Sequence, residues 1–125
     1  MFGPAANVAV DLRGAGLRLA TREMGTVRCW SVPAAATWRD GAVVLGQEAA
    51  DLLREEPGAG WDRLTLRIGD AVPVMLGGTA HSATELVARI LTGALPSTTD
   101  RVILVAPPRW SPPSRGRASP GRSAC

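Results

Sequence analysis

The sequence predicts a mixed α/β fold whose sheet opens with a three-stranded antiparallel meander and is completed by a later strand. Three observations predict it. Residues 17–22 and 27–32 alternate apolar and polar side chains at period two, as strands with one buried face do. Ser82-Ala83-Thr84-Glu85 has the spacing of a helix capping box and leads into Leu86, Val87, Ile90, Leu91 and Ala94 at helical intervals. Residues 101–106 form a near-continuous apolar run, expected of a strand buried on both faces beneath helices.

The elements follow in order. Asn7-Val8-Ala9-Val10-Asp11-Leu12 is a short strand ending in an acid, and Arg13-Gly14-Ala15-Gly16 turns the chain into the second strand. Met24-Gly25-Thr26 makes the next turn, and Pro33 closes the third strand. Trp38-Arg39-Asp40-Gly41 reads as a hairpin-type turn before Ala42 to Gly46, and Gln47 to Glu56 as a helix with Leu52 and Leu53 on one face, stopped at Pro57-Gly58. Residues 64–76 read as a second meander-like stretch ending at Gly77-Gly78, before the capped helix and the closing strand. Residues 1–6 are thus an N-terminal extension, residues 7–106 one lobe, and residues 107–125, rich in Pro, Arg and Ser, an expected disordered tail.

Composition excludes several classes of function. With 125 residues the chain forms one small domain, too short for two lobes around a cleft. The formal charge of +3 suggests a nucleic-acid partner, but four arginines fall in residues 107–125. Residues 1–106 hold ten arginines against eleven acids, so the lobe is nearly neutral and a nucleic-acid role is not expected. Cys29 and Cys125 form no metal-site spacing or disulfide framework, and a reducing cytoplasm is the default location. No leader pattern and no apolar run long enough for a membrane span are present.

Several segments, in order, resemble the start of the ATPase domain in the seventy-kilodalton, DnaK-like heat-shock chaperones. Val32-Pro33-Ala34 is similar to that family's Val/Ile-Pro-Ser, and Val44-Leu45-Gly46-Gln47-Glu48-Ala49 to its Val-Gly-x-x-Ala. Trp61 to Asp70 resembles the stretch carrying its Lys-Arg and Ile-Gly, Ser82 to Leu91 its Ser-x-x-Glu-Leu-x-Ala-x-x-Leu helix, and Val102 to Pro107 its Val-x-x-Val-Pro strand. Pro-Pro-Arg-Trp at 107–110 is similar to a Pro-x-x-Trp of actinobacterial chaperone-like relatives, some beside type VII secretion genes. The resemblance implies a partial actin-like (ribonuclease H-like) ATPase lobe, with ATP and Mg²⁺ as the family's cofactors.

Phosphoryl transfer needs backbone N–H groups around phosphate, a carboxylate for hydrated Mg²⁺ and a nearby cation. By resemblance, Asp11 takes the carboxylate role, holding the metal through water, and Gly14 and Gly16 the phosphate-turn role. The departures weigh against hydrolysis. Arg13 stands at the family's first Gly, no hydroxyl follows, and the catalytic Lys position falls on Thr65, with Arg67 nearby as a cation of different shape. A plain alternative holds for each: Asp11 as a solvent-facing strand-end acid, Gly14 and Gly16 as turn residues.

Other candidates read as structural. His81 stands before the capping box as a solvent-facing helix-entry residue, and Trp30, Trp38, Trp61 and Trp110 read as partial core, while Glu55-Glu56 marks a solvated helix end. The expected protein is a truncated, degenerate chaperone-type ATPase lobe in which nucleotide binding is lost. The alternatives are a non-catalytic interaction or scaffold protein with an unknown protein partner, secretion-associated by the same resemblance, and a weak nucleic-acid binder through the basic tail. The tail reads either as the product of a frameshift or truncation or as a natural basic extension.

Overall fold

A computed structural model describes residues 6–106. The chain runs β1 (Ala6–Asp11), β2 (Gly16–Glu23), β3 (Thr26–Pro33), β4 (Ala36–Arg39), β5 (Ala42–Leu45), α1 (Gly46–Glu55), β6 (Gly60–Trp61), β7 (Val74–Leu76), β8 (Thr79–His81), α2 (Ala83–Ala94) and β9 (Thr99–Val105). It is a mixed α/β fold with a mixed sheet. β1, β2 and β3 form the expected antiparallel meander, with Val10 opposite Leu19 and Leu19 opposite Trp30. β9 returns parallel to β1, placing Val102 beside Val8 and Leu104 beside Val10, and the sheet order is β3-β2-β1-β9.

Local chemistry explains the turns. Met24-Gly25, Asp40-Gly41 and Gly77-Gly78 each place two consecutive residues at positive φ, the geometry whose twist matches a two-residue hairpin. α2 starts where the Ser82 hydroxyl accepts from the Glu85 backbone N–H at 3.3 Å. At its far end the Trp30 indole N–H donates to the Ala94 carbonyl at 3.3 Å, satisfying a carbonyl that the helix leaves without an internal partner.

Alternation in β1 and β2 sends Val8, Val10, Leu17 and Leu19 to one face, where they pack with Leu64, Val74, Leu86 and Ile90 in a single core. Each fully buried Leu or Val contributes about 1.5–3 kcal/mol by leaving water. The other face of the meander carries Arg18 and Arg22, both exposed.

Four expectations are corrected. Residues 64–67 form a 3₁₀ turn rather than a strand, because Arg63 adopts a left-handed conformation (φ 54°) and the consecutive Leu64 and Thr65 are both buried, which period-two alternation forbids. Trp38 and Arg39 belong to β4, so the turn is only Asp40-Gly41. β9 is not buried on both faces. It is the outer strand among the described residues, with Val102, Ile103 and Leu104 exposed at 36%, 52% and 48% and no described strand beyond it. Cys29, exposed on β3, is not a free thiol, although the cysteine spacing pointed to no disulfide. Its only possible intrachain partner, Cys125, lies with the expected tail outside the described residues.

Candidate functional site

The residues singled out by chemistry gather at the carboxyl end of β1. Strand alternation places Asp11 opposite Arg18 of β2, and the turn that follows lifts Arg13 back over the carboxylate. The contact is forked: Arg13 Nε donates to Asp11 Oδ1 at 3.0 Å and a terminal guanidinium nitrogen donates to Oδ2 at 3.0 Å. The Arg13 backbone N–H adds a third bond to Oδ1 at 2.9 Å, an Asx-type turn that fixes the loop. Asp11 is a strand-end acid at the surface whose carboxylate is paired, its side chain retaining 25% exposure.

The electrostatics follow from that fork. Hydrogen bonds from the Arg13 side chain, with smaller help from its backbone N–H and from the Arg13 and Arg18 charges, hold the Asp11 carboxyl below its ordinary value against the opposing desolvation. The same pairing raises Arg13. Two guanidinium charges thus already compensate the carboxylate that a hydrated divalent cation would need. Among the described residues no group of three or more His, Cys, Asp or Glu side chains is arranged to hold a metal ion.

Gly14 and Gly16 play different parts in the turn. A side chain at Gly14 would meet nothing within 4 Å, so space does not demand glycine there. A Cβ at Gly16 would lie 2.9 Å from the Val32 carbonyl oxygen, so glycine is needed for β2 to start against the end of β3. That requirement belongs to strand packing.

The fold brings Thr65 to this turn. Its hydroxyl donates to the Gly14 carbonyl at 2.6 Å across 51 residues, and the side chain is fully buried. Thr65, which the resemblance sets at a catalytic lysine position, faces the turn between β1 and β2 as a short hydroxyl that ties the turn down. Arg67 is engaged elsewhere: its guanidinium lies 4.8 Å from the centroid of the Trp61 ring and 3.7 Å from Asp70 Oδ2.

The remaining candidates are placed as follows. His81 is half-buried at the end of β8, with Nε2 shielded and without a hydrogen-bond partner, which corrects the solvent-facing expectation. Trp61 donates its indole N–H to the Met75 carbonyl at 3.0 Å, and Trp38 packs against the Gly77 turn. Glu55 and Glu56 are exposed at the end of α1, as expected. Trp110 and the tail arginines lie outside the described residues.

Sequence reasoning treated Arg13 as a missing glycine and overlooked it as the partner of Asp11; the Asp-x-Arg spacing was the available signal. The Arg67–Trp61 stack had no such signal, because the two sit on different local elements. No helix among the described residues is long and apolar enough to cross a membrane. No family model matches the chain, and no curated protein matches it significantly.

Proposed function

We propose that this chain is a degenerate, partial ATPase lobe of the chaperone type that does not hydrolyse ATP. The observation that carries the reading is the Arg13–Asp11 fork at the carboxyl end of β1, beside a turn that Thr65 fastens. A strand-end acid, a glycine-containing turn and a buried group facing that turn are the parts from which such sites are built. In this chain each part is spent on holding another protein group. The carboxylate is neutralised by guanidinium, the turn carbonyl is bonded to a hydroxyl, and the Arg67 guanidinium stacks on an indole. ATP and Mg²⁺ are cofactors of the resembled family, not of this chain under the proposal.

Calorimetric titration of the purified chain with ATP and Mg²⁺ tests the reading. The expected result is no saturable heat. Low-micromolar binding would overturn it.

A second reading, a non-catalytic scaffold for a protein partner, is favoured by the edge of β9, open among the described residues, with its exposed apolar side chains. Affinity purification from the native host under a stringent wash separates the two readings. A scaffold recovers one partner at fixed stoichiometry, whereas a lobe with no partner recovers only general chaperones and proteases. A location in the cytoplasm, or beside a secretion apparatus, belongs to the same proposal.

A further inference from the structure

We propose that β9 pairs antiparallel with β9 of a second copy of this chain, with Ile103 on the two-fold axis, to give a dimer with one continuous sheet. β9 is the outer strand of the four-stranded sheet among the described residues. Its backbone polarity is set by one bond: the Val105 carbonyl accepts from the Leu12 N–H at 3.0 Å, so Val105 faces β1. Strand alternation then turns the N–H and C=O groups of Val102 and Leu104 to the open edge. In an antiparallel pair centred on Ile103, Val102 of one copy stands opposite Leu104 of the other, and these two residues exchange both of their backbone bonds.

The side chains exclude centres nearer the start of the strand, and centring on Ile103 aligns the apolar run 102–104 with itself. Two-fold pairing about an axis normal to the sheet keeps each face continuous, so facing residues share a face and the centre falls on a residue. Centring on Arg101 sets two like charges against each other, and centring on Val102 sets the Asp100 carboxylate against Leu104. Centring on Ile103 matches Val102 with Leu104 twice and Ile103 with itself, leaving Arg101 beside Val105 and Asp100 outside the apolar block. Val102 and Leu104 lie on the same face as the buried Val8 and Val10, so the pair would extend the core across the axis.

The choice of occupant rests on composition and on comparison with the other edge. β3 carries Arg28 mid-strand and ends at Pro33, both common protections of an edge, whereas residues 102–105 contain no charge, proline or glycine. Residues 107–125 of the chain itself make a poor cover, with five prolines and no Val, Ile, Leu, Met or Phe. A second copy offers the missing donors, acceptors and apolar side chains in a matching order. A single strand pair falls below the roughly 1,200 Å² of a standard stable interface, so the dimer is reversible and concentration-dependent.

Sedimentation equilibrium of the full chain over a broad concentration range tests the proposal. Expected is a monomer–dimer equilibrium whose constant changes little between about 50 and about 500 mM salt, since it rests on backbone bonds and apolar contact. Ile103→Lys, at a half-exposed position, weakens the dimer at least about tenfold, while Val27→Lys on the opposite edge leaves it unchanged. Hydrogen exchange supplies a readout free of mutation: the Val102 and Leu104 amides gain protection as concentration rises, and the Ile103 amide, directed at β1, does not. Four results would each overturn the inference: a monomer throughout, association insensitive to Ile103→Lys, open-ended assembly, or a dimer that dissociates steeply with salt.

Discussion

The Thr65 hydroxyl and the Gly14 carbonyl meet at 2.6 Å, and this contact fastens the 3₁₀ turn after β6 to the turn between β1 and β2. Thr65 is thereby a structural clasp between two turns. Leu64 beside it is bonded through its own N–H to the Ala34 carbonyl at 2.9 Å, so the turn is held from two sides.

Thr65→Val keeps the shape and removes the hydroxyl. It leaves the Gly14 carbonyl without this donor, and the expected cost is about 1–3 kcal/mol, read as a lower urea midpoint with an unchanged slope. A midpoint equal to that of the parent would mean that water replaces the bond at no cost.

The Asp11–Arg13 fork predicts a pH dependence of definite sign. Arg13 holds the Asp11 carboxyl below its ordinary 3.8, so the pair stabilises the fold above that value, and the stabilisation is lost as pH falls through the lowered folded value. Asp11→Asn should therefore be less stable than the parent at neutral pH, with the difference fading below that window. Urea midpoints at both extremes decide it, and a difference that grows on acidification contradicts the assignment.

At Gly77 two constraints coincide: φ is +56°, and a Cβ would run into the Trp38 ring. Gly77→Ala is expected to cost about 2 kcal/mol or more and to perturb the near-ultraviolet signal of Trp38. Gly78→Ala, at positive φ but with nothing within 4 Å, serves as the comparison and costs about 1 kcal/mol from backbone strain alone. Equal losses for the two would remove the argument from the indole contact.

Met24 is fully exposed at φ 49° in the β2–β3 hairpin, a conformation that asparagine adopts far more readily. Met24→Asn should raise stability by roughly 0.5–1 kcal/mol, measured as a higher thermal midpoint. No change, or a lower midpoint, would show that Met24 contributes contacts in the unfolded or folded chain that outweigh the turn.

The sequence by itself determined the local devices: the turns at Met24-Gly25, Asp40-Gly41 and Gly77-Gly78, the Ser82 cap of α2, and the alternation that sends Val8, Val10, Leu17 and Leu19 to one face. Each is settled within a few residues by allowed dihedrals, by an unpaired backbone donor or by side-chain period. The Arg13–Asp11 fork lies within the same reach, two residues apart, and was legible in principle. Tertiary structure alone decided that, among the described residues, 101–105 lie at an edge rather than in a sandwich, since an apolar run specifies only a preference for cover and not whether a neighbour supplies it. It alone decided that Thr65 closes on Gly14, because that contact joins segments 51 residues apart and leaves no local trace, and that Arg67 lies on Trp61, because the intervening left-handed Arg63 and 3₁₀ turn set that approach.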